Sequence, residues 1–215
     1  MFNKELLLSF LMFHPGISIA VFILMAFLSR IYKVKIFYSF TDFLNYWILR
    51  PFFSFILAFS IIVALRKLGF TPLVQMYSFP FLFQVLFLFI TFDLFASLLH
   101  KALHSVRIYD FHKKHHSISV LSWENSAKES IVFELSNCIF LGFLVFFFAI
   151  SQPAILTALF LWKTSLALTH FNKPIKLGFL ENIITSPYYH EEHHHEATQN
   201  KDIAISLRIW NRLFN

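Results

Sequence analysis

The tract from Pro187 to Glu196, PYYHEEHHHE, places four histidines and three glutamates in ten residues. A tract of this kind serves as an interaction tail, a pH sensor or a metal cage, and the rest of the chain decides among them. Ten of the eleven histidines lie between positions 100 and 195, in spaced groups. His100 and His104 form one; His112, His115 and His116 a second; His170 stands alone; His190, His193, His194 and His195 form the last. Residues three or four apart share a helix face, so H-x-x-x-H and H-x-x-H-H each aim imidazoles at one point. Chance would supply about 0.03 H-x-x-H-H matches at this histidine content, and the chain has two. The spacing selects a metal cage.

A tetrahedral zinc takes four ligands, so eight or nine imidazoles imply two ions. Imidazole suits Fe, Zn, Cu and Ni alike, and spacing leaves that choice open. The full pattern of soluble di-iron bundles, a Glu from each of two helices and a Glu-x-x-His from each of two others, is missing. Carboxylates near the histidines are candidates to orient the rings through their second nitrogens. Asp93 lies two turns before His100 on the same face, and Glu191, Glu192 and Glu196 flank the last group. His195 points off the face shared by His190, His193 and His194, and His14 sits inside an apolar run.

The elements that must carry these groups are read from hydropathy. The 215 residues are 57% hydrophobic and only 14% charged, with 31 phenylalanines and a mean hydropathy of +0.63. Soluble domains carry about 25% charge, so this is an integral membrane protein. Apolar segments occur at about 6–29, 44–65, 80–99, 131–150 and 153–169, near the ~20 residues that span a bilayer as helix. His14-Pro15-Gly16 and Arg50-Pro51 interrupt the first two, which are therefore open to kinking, tilting or partial insertion. Ser151-Gln152-Pro153 turns the last two into a helical hairpin. An all-α membrane bundle of four to five spans with a histidine-rich helical cap is predicted. No small-residue cleavage site follows the first apolar run, which reads as a retained span.

Between His100 and His170 lie two crossings, so segments 100–130 and 170–215 emerge on one side. With loop 30–43 that side holds 13 Lys/Arg, against Lys4, Arg66 and Lys67 opposite. Basic loops are cytoplasmic, which puts the histidines there, in a bacterial inner membrane or the endoplasmic reticulum. The net charge of +6 is thus explained by topology, with no nucleic-acid partner. One cysteine, Cys138, excludes a disulfide framework or zinc–thiolate site. Four isolated glycines exclude a Gly-rich phosphate loop, hence a bound nicotinamide or nucleotide. Ser186 before Pro187 reads as the N-cap of a short helix carrying the last histidines.

These residues resemble the fatty acid hydroxylase superfamily, which includes sterol desaturases and lipid hydroxylases. The resemblance lies in Asp93 before His100 and His104, FHKKHHS from Phe111, HFN from His170, PYYHEEHH from Pro187, and WNRLFN from Trp210. Lys101 stands where that pattern has Arg, Asn211 where it has Asp, and Asn215 where it has Gly. The resemblance runs from about Asp93 to Asn215 and implies a catalytic domain over 80–215, preceded by the N-terminal spans that hydropathy marks over 1–79. It implies two irons on His100, His104, His112, His115, His116, His170, His190, His193 and His194, with zinc able to replace them in a purified sample. It also implies O2-dependent hydroxylation or desaturation of a lipid C–H bond, with electrons from a cytochrome b5-like or ferredoxin-type donor. Lys113, Lys114, Lys173 and Lys176 are candidates to steer such a donor or to meet anionic headgroups. Fatty acyl chains, sterols, sphingoid bases and carotenoids all remain within that class.

The alternative is divalent-metal transport or metal sensing in the membrane. Transport sites lie near the bilayer midplane on broken helices, whereas these histidines gather at span ends. Lys163, two turns before His170, would line a cation path poorly. A catalytically inactive scaffold would retain the fold, but this chain retains every histidine of the pattern.

Overall fold

A computed structural model describes residues 4–34, 39–105, 108–117, 122–171, 173, 175–195 and 203–214. Side chains are described from Gly16 onward, Ala127 excepted. Asn172, Glu196 and Asn215 of the motifs, and Lys35, Arg107 and Lys201 among the 13 basic residues, lie outside those residues, as does the side chain of His14. The described residues are helical, with a single β-bridge between Ile184 and Leu207.

All five apolar segments are helices. They are α1 (Lys4–Ile31), α3 (Arg50–Lys67), α4 (Phe81–Leu103), α6 (Ile131–Phe148) and α7 (Gln152–Thr169). A short α2 (Phe40–Asp42) and a π-helical turn (Phe43–Leu49) lead straight into α3. α1 runs through His14-Pro15-Gly16 as one helix. The Arg50-Pro51 interruption does leave a mark. Proline has no N–H and its ring crowds the carbonyl four residues back, and the wider π register occurs in the turn just before it. The polar regions form α5 (Asp110–His116), α8 (Pro187–His194) and α9 (Ile209–Phe214).

Phe40–Lys67, Phe81–Leu103 and Ile131–Phe148 are long and apolar enough to cross a membrane. Gly16–Ile31 of α1 is a shorter apolar stretch. Side chains facing away from the bundle are apolar too: Ile19, Ile23 and Phe27 on α1, and Leu82, Leu86 and Ile90 on α4 are all exposed. Their spacing of four residues makes an apolar stripe on each helix, as a lipid-facing surface requires.

The helices alternate in direction. At one end, Trp123 Nε1 donates to Ser29 Oγ at 2.8 Å, Trp47 Nε1 to the Glu124 carbonyl at 3.3 Å, and Arg50 to the Glu129 carbonyl at 3.0 Å. These bonds fix the 122–129 loop over the ends of α1 and α3, where Phe22, Trp47 and Trp123 also pack edge to face. At the other end, the last carbonyls of α6 have no partner inside the helix. Phe147 O accepts from Leu73 and Val74 N–H, and Ala149 O accepts from Tyr77 N–H. The buried Gln84 of α4 holds the α6–α7 turn by accepting from Ser151 N–H at 2.9 Å.

α6 packs against α3 and α4, whereas α7 packs against α4 and α1. The tight turn expected between α6 and α7 is present, but the hairpin is open: its arms barely touch. A cavity of about 110 Å³ lies between them, closed by Phe55 of α3 and Phe92 of α4. The α3–α6 contact is close because Gly142 meets Ala58. A Cβ added at Gly142 would stand 3.3 Å from both the Ala58 Cβ and its carbonyl oxygen. Small residues let membrane helices approach in this way. Gly142→Leu is expected to lower stability by about 1–3 kcal/mol through overpacking, with Gly142→Ala far milder. Thermal melts of the two variants in detergent check the ranking.

Candidate metal centre

Four elements bring the histidines together. α4 ends on His100 and His104, α5 carries His112, His115 and His116, α7 ends at His170, and α8 carries His190, His193 and His194. H-x-x-x-H and H-x-x-H-H do aim inward, because their i, i+3 and i+4 positions share a helix face. His100, His112, His115, His170, His190 and His193 are buried, and His104, His116 and His194 are half-buried.

The rings sort into two sets. His100, His104, His112 and His116 form one, and His115, His170, His190 and His194 the other, with ligand atoms within 4.8 Å of one another in each. The His193 ring stands 4.8–4.9 Å from those of His100, His104 and His116, edge to face, and so joins the first set. In that set Nε2 of His100 lies 2.9 Å from Nε2 of His112 and 3.3 Å from that of His104, and His116 Nε2 lies 3.1 Å from His112 Nε2. In the second, His170 Nε2 lies 3.3 Å from His115 Nε2 and 3.1 Å from His190 Nε2, and His194 Nε2 lies 3.3 Å from His190 Nε2.

An imidazole nitrogen is either a donor or an acceptor, so rings converging through one atom each cannot satisfy one another by hydrogen bonding. Nitrogens held about 2.0–2.1 Å from a common ion stand about 3–3.4 Å apart, which is the spacing found. The donor set fits two ions.

Electrostatics points the same way. Burial, then the neighbouring imidazoles, lowers His104 to about 3 and His116 to about 2. Burial lowers His170 to about 4, and it holds His115, His190 and His194 well below their ordinary value. These six rings are neutral near pH 7, as ligation requires.

The second ring nitrogens define the surrounding support. His100 Nδ1–H donates to the Ile203 carbonyl at 2.8 Å and His170 Nδ1–H to the Leu166 carbonyl at 2.9 Å, leaving each Nε2 lone pair inward. The main missed residue is Glu129. Its carboxylate lies 3.3 Å from His112 Nδ1 and 3.3 Å from His115 Nε2, so it touches a ring of each set. It lies thirteen residues beyond His116 with no helical periodicity linking them. The only sequence signal was an acidic residue at the mouth of an apolar helix.

Asp93 departs from expectation. It orients no imidazole directly, because its carboxylate accepts from Ser206 N–H at 3.1 Å, Leu207 N–H at 2.9 Å and Trp210 Nε1–H at 2.9 Å. It acts through the chain: the segment it holds includes Ile203, whose carbonyl fixes His100. Ser97 Oγ accepts from Ile205 N–H, and Asn211 Oδ1 accepts from Ala204 N–H at 2.9 Å, closing the same segment. The amide oxygen of Asn211 accepts this bond where the family pattern has a carboxylate, a stronger acceptor. Lys101 reaches the Phe214 carbonyl, pinning α9 to α4.

Of the other candidates, Glu191 is exposed, Glu192 is bonded to Tyr188, and His195 is exposed at the end of α8. Ser186 does precede Pro187 at the N-cap of α8, but its hydroxyl makes no capping bond.

A helical membrane protein with two convergent imidazole sets is the class defined by this fold and site. The fatty acid hydroxylase family model matches residues 85–215, more than half of the chain, and the protein belongs to that family. No curated protein and no solved structure matches it.

Two outcomes follow from this geometry. Replacing Asp93 with Ala strands three donors, two of them buried, each worth about 1.5–3 kcal/mol against a carboxylate. The C-terminal segment should then become sensitive to protease and bound metal should fall, as limited proteolysis and elemental analysis would show. The second concerns pH. The folded values of His104, His116 and His170 lie below the ordinary 6.5 that applies in the unfolded chain. Metal-free protein is therefore most stable above 6.5 and loses stability as pH falls from there toward about 4, 3 and 2. Melting curves of chelator-treated protein should show that slope, and His104→Gln with His116→Gln should flatten it.

Proposed function

We propose that this protein is a membrane-bound oxidoreductase that holds two irons on the nine histidines and uses O2 to hydroxylate or desaturate a lipid C–H bond. One observation carries the reading: Glu129 touches both imidazole sets and also lines the apolar cavity between α6 and α7. A site for metal and a site for an alkyl chain thus share a wall.

The bound irons would supply activation of O2 and removal of hydrogen from an unactivated carbon. The chain's own residues supply the rest. Phe55, Phe92, Phe133, Leu159 and Leu166 line the cavity and exclude water from an alkyl chain. Glu129 sets a carboxylate 3.3 Å from both the His112 and His115 rings, beside the ions. His100 and His170 are held by backbone carbonyls, so their lone pairs point inward before metal arrives.

The histidine end faces the cytoplasm in this reading, with α1 and α7 completing the three long apolar helices as a bundle of up to five spans. Lys113, Lys114, Lys173 and Lys176 are exposed at that end. They suit an acidic cytochrome b5-like or ferredoxin-type electron donor, whose association would weaken with salt. Metal transport is disfavoured because the histidines gather at helix ends and Lys163 places an ammonium in the cavity beside them.

Protein purified from iron-replete cells is expected to hold two irons per chain, and His193→Ala to lower that content. Lipid extracts of expressing cells should contain a product with one added oxygen or two fewer hydrogens, lost in the same variant. At most one ion per chain, unchanged by His193→Ala, would falsify the dinuclear site.

A further inference from the structure

At one level below Glu129, polar side chains interrupt the apolar wall of the cavity. Glu134, Asn137, Cys138 and Leu141 follow one face of α6, and Leu159, Trp162, Lys163 and Leu166 follow the facing side of α7. Asn137 is 4% exposed, and neither atom of its amide has a hydrogen-bond partner. Trp162 Nε1, on a ring packed edge to face against Phe92, and Glu134 Oε1 are likewise buried without one. Buried polar groups are almost always bonded, and those that line a cavity are completed by what enters it.

We infer that this level of the cavity binds a hydroxyl group, and that the substrate is a lipid alcohol, not a free carboxylic acid. The inference rests on the oxidation reading above and names its substrate class. Asn137 offers both a donor and an acceptor, Trp162 a donor and Glu134 an acceptor, which is the complement of an O–H that both donates and accepts. An acid finds no unpaired cation here. The ammonium of Lys163 is already opposed by Glu134 and donates to Ser18 Oγ at 2.8 Å, so a carboxylate guest would add a second negative charge to a balanced pair. Asn137 lies about 9 Å along α6 from Ile131, six residues at 1.5 Å each. A chain anchored there runs back toward Glu129 and the imidazoles, so the oxidised carbon lies several bonds from the hydroxyl.

The test is competition binding on the full-length, metal-loaded protein in lipid nanodiscs, without reductant, using tritiated hexadecanol as the probe. Unlabelled hexadecanol should displace it at concentrations about tenfold below those of hexadecane, palmitic acid or hexadecylamine, the effect of roughly two hydrogen bonds. Asn137→Leu should abolish that preference while raising the melting temperature, because it removes an unsatisfied amide from an apolar wall. A residue with only a structural role would lower it. Trp162→Phe, which keeps the ring and deletes the donor, should weaken the preference if the leucine variant does not fold. Equal competition by all four chains, tighter binding of the acid or the amine, or an intact preference in both variants would overturn the inference. Binding is read without turnover, so this result stands apart from the iron content and product analysis that test the oxidation itself.

Discussion

Two clusters of imidazole nitrogens, each aimed at a point inside protein, are the constraint around which this structure is organised. Lone pairs 2.9–3.3 Å apart repel unless a cation stands between them. Burial removes the other remedy, protonation, by holding the rings neutral into acid. Four helices therefore converge on groups that have no mutual attraction, and the fold must hold them there by other means.

Those means lie outside the ligands. Asp93 gathers two backbone N–H groups and the Trp210 indole onto α4, Ser97 adds another, and Asn211 closes the loop on itself. The C-terminal strap so formed presents the Ile203 carbonyl to His100. On the far side, Trp47, Trp123 and Arg50 seat the 122–129 loop, which brings Glu129 to His112 and His115. Each ligand set is thus braced by a segment distant in sequence. That explains why a carboxylate two turns from a histidine serves the site without touching it.

The open α6–α7 hairpin leaves an apolar cavity beside the imidazole sets. Had these helices packed together, Glu129 would face no apolar space. Their separation leaves a cavity whose upper wall is Glu129 and whose deeper wall carries Asn137, Trp162 and the charges of Glu134 and Lys163. Ionisable groups inside membrane helices are costly and mark functional paths.

The sequence by itself determined the class of protein, the five helical apolar segments and the grouping of the histidines. Hydropathy over ~20 residues and the i, i+3, i+4 rule are local consequences of helix geometry, so they survive without knowledge of the fold. It also marked Pro51 as a disturbance, without specifying the π turn before it. Only the tertiary structure decided which imidazole belongs to which set, that His193 sides with His100 and not with its neighbour His194, and that α6 and α7 stand apart. It alone showed Glu129 between the sets and turned Asp93 from an expected ring partner into the anchor of the C-terminal strap. These are contacts across dozens of residues, fixed by how helices pack, and no periodicity along one helix encodes them.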